Sequence, residues 1–427
     1  MDMNALMAIM ALGLLFLGLP IWLIFLVTSM VVIFLFTNTP LAVVVSTLFG
    51  TLDNLVLLAI PGFIFAGVAM DRGGMTVRMI RWLRSWVGPV PGGTPLTVIA
   101  AGELFGAISG SSAASAAALG KVLYPALRKQ GFSEDFSLGL VTSTGAIAII
   151  IPPSISMILY SSVTGCPVGK LFLAGFIPGI FLGVLVGIYA VYITYRQGLA
   201  HGVKWDWAEI WTSTKEAVAT LGMPIIIAVG IYGGFTTPTE AAVLASVYAL
   251  LVSAFVYREL NWQGLWDVTI ESARLTAMIF LILASAGLFA WVLTIGGVPQ
   301  ALANLIKSMN LAPWAILLMI NILLLLAGMF IDPTSNVLVL TPILWPIARI
   351  IGVDIIHFGI IVVVNMAIGM FSPPFGLNLF VICSMFKVSA DRLALSVMPF
   401  FAIYVIGLMV ITYVPFLSLF LLSILKW

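Results

Sequence analysis

The chain is 427 residues long, 62% hydrophobic and only 8% charged, with a mean hydropathy of +1.21. No soluble core needs so much apolar surface, so the composition places the chain in a membrane and excludes water-soluble enzymes. The net charge of +2 is spread over 18 basic and 16 acidic residues and offers no basic face to nucleic acid.

The opening residues, MDMNALMAIMALGLLFLGLP, lack a basic n-region and a small-residue cleavage site and read as a retained span, not a signal peptide. Apolar stretches near 4–19, 21–36, 55–70, 136–162, 171–195, 218–235, 239–257, 272–295, 357–386 and 396–424 are each long enough to cross a hydrocarbon layer of ~30 Å, some with tilt or a break. The expected fold is therefore an all-α polytopic membrane protein with about ten transmembrane helices. Short amphipathic pieces near 40–52 and 259–271 are expected along the membrane surface. Two further apolar regions, about 94–129 and 311–350, are interrupted by Gly, Ser, Asp and Pro near their middles, as re-entrant helical hairpins would be. The longest polar connector, 196–217, holds three tryptophans and suits an interfacial link between two halves. With ten crossings, two hairpins and both termini outside, 14 of the 18 basic residues collect on the inner face, leaving Lys170, Lys307, Arg349 and Lys426 outside.

An ungapped offset of 221 lays residues 119–153 over 340–374 with ten identities in 35 positions, Pro125/Pro346, Gly131/Gly352, Pro152/Pro373 and Pro153/Pro374 among them. The charge count makes the first hairpin enter from the cytoplasm and the second from outside. The chain thus divides into inverted repeats, residues 1–215 and 216–427, a construction typical of secondary transporters. The first half holds the hairpin at about 94–129 and a broken helix at about 136–162; the second holds the hairpin at about 311–350 and a broken helix at about 357–386.

The first hairpin turns at GAISGSSAASAAALG, residues 106–120, where small residues allow close backbone approach and leave hydroxyls and carbonyls free to face a cavity. Its counterpart, FIDPTSNVLVLTP at 330–342, sets Asp332, Thr334, Ser335 and Asn336 at a tip, and an acid at membrane depth points to function. After each hairpin a span is broken by paired prolines, TSTGAIAIIIPPSIS at 142–156 and VNMAIGMFSPPFGLN at 364–378, so half-helices with unpaired backbone oxygens are expected. Hard monovalent cations bind such oxygens. One cation is expected among Ser109, Ser111, Ser112 and the break at Thr144 and Gly145, and another among Asp332, Thr334, Ser335 and the break from Asn365 and Met366 to Gly369. Half-helix N-termini carry partial positive charge and favour an anionic substrate group between the tips. Glu103 is either a coupling acid or a member of a polar seam, and Glu240, in FTTPTEAA, caps a helix start. Cys166 and Cys383 have neither a disulfide nor a metal-site spacing, and His201 and His357 stand alone. No P-loop occurs, which argues against direct ATP hydrolysis, and no serine, histidine and acid set supports an intramembrane hydrolase, so the chain is not read as an enzyme.

GAISGSS, IIIPPSI, FTTPTEAA and NMAIGMFSPPFGLNLFV resemble the large membrane subunit of tripartite ATP-independent periplasmic (TRAP) transporters, and the resemblance spans essentially the whole chain. It implies a carrier of the elevator type, in which a transport domain holding both hairpins slides against a scaffold domain. It implies drive by a sodium gradient, with Na+ as coupling ion and no other cofactor. It also implies a bacterial inner membrane, a small four-helix membrane subunit on a separate polypeptide, and a periplasmic substrate-binding protein that delivers an organic anion of the C4-dicarboxylate, sialic acid or sulfonate type. On this resemblance the sodium sites fall on the tips and breaks named above, and the substrate region falls beside Pro152, Pro153, Ser154, Asn336, Pro373, Pro374 and Asn378. Proton coupling through Asp332 and Glu103, or an anion channel between the repeats, are the alternatives.

Overall fold

The computed structural model describes residues 2–199, 205–309 and 311–425. His201 and Lys204 lie outside the described residues, as do Lys426 and the side chains of Ser109 and Lys307. Every regular element among the described residues is helical.

Helices α1 (Met3–Phe16) and α2 (Ile21–Phe36) are parted at Gly18, whose φ of +74° only glycine adopts freely, and Pro20. After Pro40 comes α3 (Leu41–Leu52), and a 3-10 turn at Leu55–Leu58 leads into α4 (Ala59–Arg72). The amphipathic α5 (Met75–Val87) precedes the first hairpin, formed by α6 (Gly93–Ser109) and α7 (Ser112–Lys129). The first broken helix follows as α8 (Glu134–Ile147) and α9 (Ile155–Thr164), then the long α10 (Val168–Arg196) and α11 (Trp207–Tyr232). Helix α12 (Pro238–Leu251) opens on the expected cap: the Thr237 side chain accepts from the Glu240 N–H, and the Glu240 carboxylate accepts from the Thr237 N–H. It runs through a π-helical turn at Val252–Val256 toward α13 (Trp262–Ile295). The amphipathic α14 (Val298–Ser308), the second hairpin α15 (Pro313–Gly328) and α16 (Pro333–Ile350), the second broken helix α17 (Ile355–Gly369) and α18 (Leu377–Phe386), and α19 (Ala390–Tyr413) with α20 (Phe416–Leu425) complete the chain.

Among the described residues six spans are long and apolar enough to cross a membrane: Leu55–Arg72, Val168–Arg196, Trp207–Tyr232, Pro238–Val256, Trp262–Ile295 and Ala390–Tyr413. The two broken helices and the shorter apolar α1 and α2 account for the other expected crossings. Two expectations need correction. The surface piece anticipated at 259–271 is the first part of α13, because Asn261 caps the helix and no proline interrupts the chain from Trp262 to Ile295. The stretch 396–424 is two helices, since Pro415 cannot continue α19.

The offset of 221 seen in the sequence recurs in the helix bounds: it carries Ser112–Lys129 onto Pro333–Ile350 and Glu134 onto Ile355, the first residue of α17. The Pro152–Pro153 and Pro373–Pro374 bonds, related by the same offset, are both cis. Packing is reciprocal. Helix α7 lies against α8 and also against α18, while α16 lies against α17 and also against α9. At the first crossing, an added Cβ on Gly120 would meet Ile382 and Val141 at 3.3 Å, and the Tyr124 and Phe386 rings stand 4.2 Å apart.

Around this unit α4 and α12 pack closely through small residues: Ser246 Oγ donates to the Gly62 carbonyl at 2.7 Å and Ser253 Oγ to that of Ala69 at 3.2 Å. At one end Arg72 pairs with Glu271 at 2.7 Å, joining α4 to α13, and Arg81 with Glu209 at 2.8 Å, joining α5 to α11. These partners are more than a third exposed, so each pair contributes at most about 1 kcal/mol and chiefly fixes orientation. An added Cβ on Gly62 would come within 2.9 Å of Ala242 Cβ, and no flexible side chain is there to yield. Gly62→Val is expected to lower stability by about 1–3 kcal/mol, read as a lower midpoint in thermal unfolding of the purified protein. Gly13→Ala, with nothing within 4 Å, leaves the midpoint unchanged or slightly raised.

Candidate functional site

The two hairpin tips share one construction. Gly110, at φ +56°, turns α6 into α7, and its missing side chain lets the tip approach the Pro153 carbonyl at the entrance to α9. Ser111 then caps α7, accepting from the Ala114 N–H at 3.5 Å. The offset of 221 takes Ser111 to Asp332, which caps α16 in the same way: one carboxylate oxygen accepts from the Ser335 N–H at 3.1 Å and the other from Ser335 Oγ at 2.5 Å. A carboxylate at a helix N-terminus is stabilised by the orphan N–H groups and the helix dipole, which makes an acid at this depth tolerable. Ser112 and Ser335 are buried, while Ser111 and Thr334 are half-buried.

The breaks lie later than expected. Thr144 and Gly145 belong to the last turn of α8, and Asn365, Met366 and Gly369 to the last turns of α17; the irregular segments are 148–154 and 370–376. Proline displaces the carbonyl four residues before it, so Pro152 and Pro373 act at positions 148 and 369, where the helices end. Nor are the helix-end oxygens free of protein donors. The Gly145, Ala146 and Ile147 carbonyls accept from Ala148, Ile149 and Ile150, and those of Met366, Ile368 and Gly369 accept from Met370, Phe371 and Ser372. The Ile147 and Ile368 carbonyls accept a second time, from the Ile151 N–H and Ser372 Oγ, whereas that of Gly145 keeps a second lone pair.

Orphan oxygens sit on the side chains instead. Thr144 Oγ1, Asn365 Oδ1 and Asn336 Oδ1 are buried without a hydrogen-bond partner. Thr144 and Asn365 are themselves related by the offset of 221, so the two broken helices present an unsatisfied oxygen one turn before each break. Both helix ends lie against a hairpin: Gly102 of α6 leaves room for the Thr144 methyl, an added Cβ on Gly145 would meet the Ser112 carbonyl at 2.9 Å, one on Gly369 would meet the Gly328 carbonyl at 2.7 Å, and Asn365 Nδ2 donates to Asn321 of α15 at 2.7 Å. Oxygen donors suit a hard monovalent cation. Among the described residues no three His, Cys, Asp or Glu side chains cluster, so a zinc-type ligand set is not assembled there.

Residues expected around a substrate divide into two kinds. Asn378 is buried and committed to the protein: its Nδ2 donates to Ser112 Oγ at 2.8 Å and to the Thr142 carbonyl at 3.1 Å. It therefore ties α18 to the first hairpin and the first broken helix. Ser154 caps α9, accepting from the Met157 N–H at 3.4 Å, and donates to the Ile149 carbonyl across the break at 2.5 Å. Asn336 donates to the Ile331 carbonyl at 3.0 Å and keeps its own oxygen free of protein partners. Pro152 and Pro153 are buried, Pro373 is half-buried and Pro374 exposed. Helix α18 starts after Gly376 with no side-chain cap, near Pro374; the Asn378 and Leu379 N–H groups of its first turn donate to the Met370 and Gly376 carbonyls.

A second network went unread in the sequence. Asn365 Nδ2 donates to Asn321 Oδ1 at 2.7 Å, Asn321 Nδ2 to Thr412 Oγ1 at 3.2 Å, and the His357 ring lies 3.2 Å from the Thr412 carbonyl. It joins α15, α17 and α19. The signal was present in MINILLLL, where Asn321 is a lone amide in an otherwise apolar helix. A cavity of about 280 Å³ reaches the first tip at Ser111 and Ala114, passing between α4 and α13 beside Asp71, Arg72 and Glu271. It gives the tip an opening next to the Arg72–Glu271 ion pair.

Residues 8–417 match the family model of the tripartite ATP-independent periplasmic transporter, DctM component. The chain is 40% identical to the C4-dicarboxylate TRAP transporter large permease protein DctM of Pseudomonas aeruginosa, over 87% of each chain. It is 37% identical to the isethionate TRAP transporter permease protein DctMQ of Oleidesulfovibrio alaskensis, over 90% of this chain and 60% of that one. The Alcanivorax borkumensis YdaH transporter shares the fold, with a TM-score of 0.61 and 15% identity over 88% of this chain and 89% of that one.

Removing the Asn378 amide would take the partner from the buried Ser112 Oγ and leave the Thr142 carbonyl with its helical bond alone. Asn378→Ala is expected to lower unfolding free energy by about 1–3 kcal/mol. Adding Ser112→Ala to it should cost less than the separate losses combined, a coupling measurable in a double-mutant cycle of thermal or denaturant unfolding.

Proposed function

The chain belongs to the family of DctM components of TRAP transporters, and from that membership we propose that it carries a small organic anion across the bacterial inner membrane by sodium-coupled alternating access. The observation that carries the sodium reading is the pair of buried orphan oxygens on Thr144 and Asn365, at equivalent places in the two broken helices and each within reach of a hairpin. A cation near Thr144 would complete its ligand set from Ser109, Ser111, Ser112 and the second lone pair of the Gly145 carbonyl at the end of α8. A cation near Asn365 would draw on Asp332, Thr334, Ser335 and the end of α17 from Met366 to Gly369.

In this reading the substrate anion lies between the tips. The uncapped start of α18, beside Pro374, and the start of α9 after Pro153 offer partial positive charge there. The hairpins, both broken helices, α10 and α19 form the moving unit, and α1–α4 with α11–α13 form the frame. The reciprocal packing of α7 on α18 and α16 on α9 supports a unit that moves whole, and the small-residue seam between α4 and α12 supports a rigid frame. The two halves of the chain, 1–215 and 216–427, then stand in opposite orientations with both termini outside, as the distribution of basic residues requires. The relatives named for C4-dicarboxylates, isethionate and sialic acid support a cargo of the C4-dicarboxylate, sulfonate or sialic acid type. A small four-helix membrane subunit and a periplasmic substrate-binding protein are its proposed partners.

A ligand that binds only the folded state raises apparent stability by about 2.7 kcal/mol at 100 times its dissociation constant. Sodium chloride, titrated against potassium and choline chloride at equal ionic strength, is expected to raise the melting temperature in a saturable, sodium-specific way. Asp332→Ala and Ser111→Ala are each expected to move the sodium midpoint to higher concentration. An unchanged sodium response in both variants would remove the site assignment, and no sodium response in the parent protein would remove sodium coupling.

A further inference from the structure

Glu103 lies on α6, inside the first hairpin, and forms no ion pair or hydrogen bond among the described residues. Its carboxylate occupies the notch left on α10 by Gly183, where a side chain would collide with Oε1. It lines a largely apolar cavity of about 590 Å³ bounded by α5, the first break, α10 and α11, with Trp82, Ile151, Phe176 and Ile225 in its walls. It also lines a groove of about 560 Å³ along α6 and α10, between Ile99, Ile180 and Val184. Among the described residues the ionisable group that shares its cavity is the phenol of Tyr232 on α11, while Tyr404 of α19 donates its O–H in a hydrogen bond to the Ser143 carbonyl. The cations of α5 turn elsewhere: Arg81 and Arg84 line a separate polar pocket with Asp206 and Glu209.

Packing does not demand an acid here. The offset of 221 takes Glu103 to Leu324 in α15, a fully buried apolar residue in the same position of the second hairpin. An ionised carboxylate without a partner in such surroundings costs several kcal/mol, and the side chain escapes that cost by holding a proton. We propose that Glu103 is a proton-binding site: it carries a proton while the seam between the first hairpin and α11 is closed and dry, and releases it when that seam opens to water. The carboxyl O–H breaks, its electron pair stays on oxygen and the proton passes to water. Protonation at this one residue thereby favours the closed seam, so exposure of the first hairpin is linked to pH. The assignment does not depend on the sodium sites; only its consequence for uptake rests on the transport reading above.

Infrared spectroscopy of the full chain in nanodiscs tests it without transport. At neutral pH the protein is expected to show the carbonyl stretch of a protonated carboxylic acid, lost in Glu103→Gln and retained in Asp332→Asn. Trp82 emission should change as the carboxyl titrates in the parent protein and stay constant with pH in Glu103→Gln. Gly183→Ala, which fills the notch and leaves the acid in place, is expected to shift the band and its titration, and it serves if Glu103→Gln does not fold. A band that survives in Glu103→Gln, or no protonated carboxyl band at neutral pH in the parent protein, would overturn the proposal.

Discussion

A backbone N–H or C=O left unpaired in hydrocarbon costs several kcal/mol, and that constraint governs every irregular segment of this protein. A chain that interrupts its helices at two hairpin tips and two breaks must supply donors and acceptors there from the protein itself. It does so with short polar side chains used as caps, Ser111, Ser154 and Asp332, and with turn N–H groups that return to the carbonyls of α8 and α17. The glycines at 102, 145, 328 and 369 then bring the hairpins and the helix ends within contact distance. Once those demands are met, some buried side-chain oxygens remain without a protein partner, those of Thr144, Asn336 and Asn365 among them.

Two asparagines hold the arrangement together from opposite sides. Asn378 reaches from the second broken helix to the first hairpin and first broken helix, while Asn321 joins Asn365 to Thr412 and so ties the second hairpin and second broken helix to α19. Each bond contributes on the order of 1 kcal/mol, small beside the apolar packing but directional. Directionality matters more than strength here. Apolar helices slide past one another at little penalty in a bilayer, whereas a bridging amide in a dry interior has one register in which its partners are satisfied.

Much of this was legible in the sequence, for physical reasons. Long apolar runs mark spans because bilayer thickness sets their length, and paired prolines mark breaks because proline cannot donate. The equivalence of the two hairpins was visible in Pro, Gly and Arg, residues rare enough to align by. What stayed hidden depends on three-dimensional neighbours. The breaks fall at 148–154 and 370–376, because the ring of a proline acts four residues upstream. The family resemblance puts Asn378 in the substrate region, and only the packing of α18 on α7 shows that its amide is also engaged with Ser112 and Thr142. The anticipated surface piece at 259–271 disappeared into α13 because amphipathicity reports the face a helix shows, not where it ends.

The crossing of α18 onto the first hairpin also bears on how the chain is made. Ser112 and Asn378 are 266 residues apart, so at ~5–20 residues per second the ribosome completes the first hairpin roughly ten to fifty seconds before its partner amide exists. Throughout that interval the first half stands in the bilayer with a polar notch that only the second half can fill. Its caps and glycine contacts must keep it compact unaided, or insertion machinery must shield it. The last bonds to form are thus the ones that turn two consecutively inserted hairpins into one body.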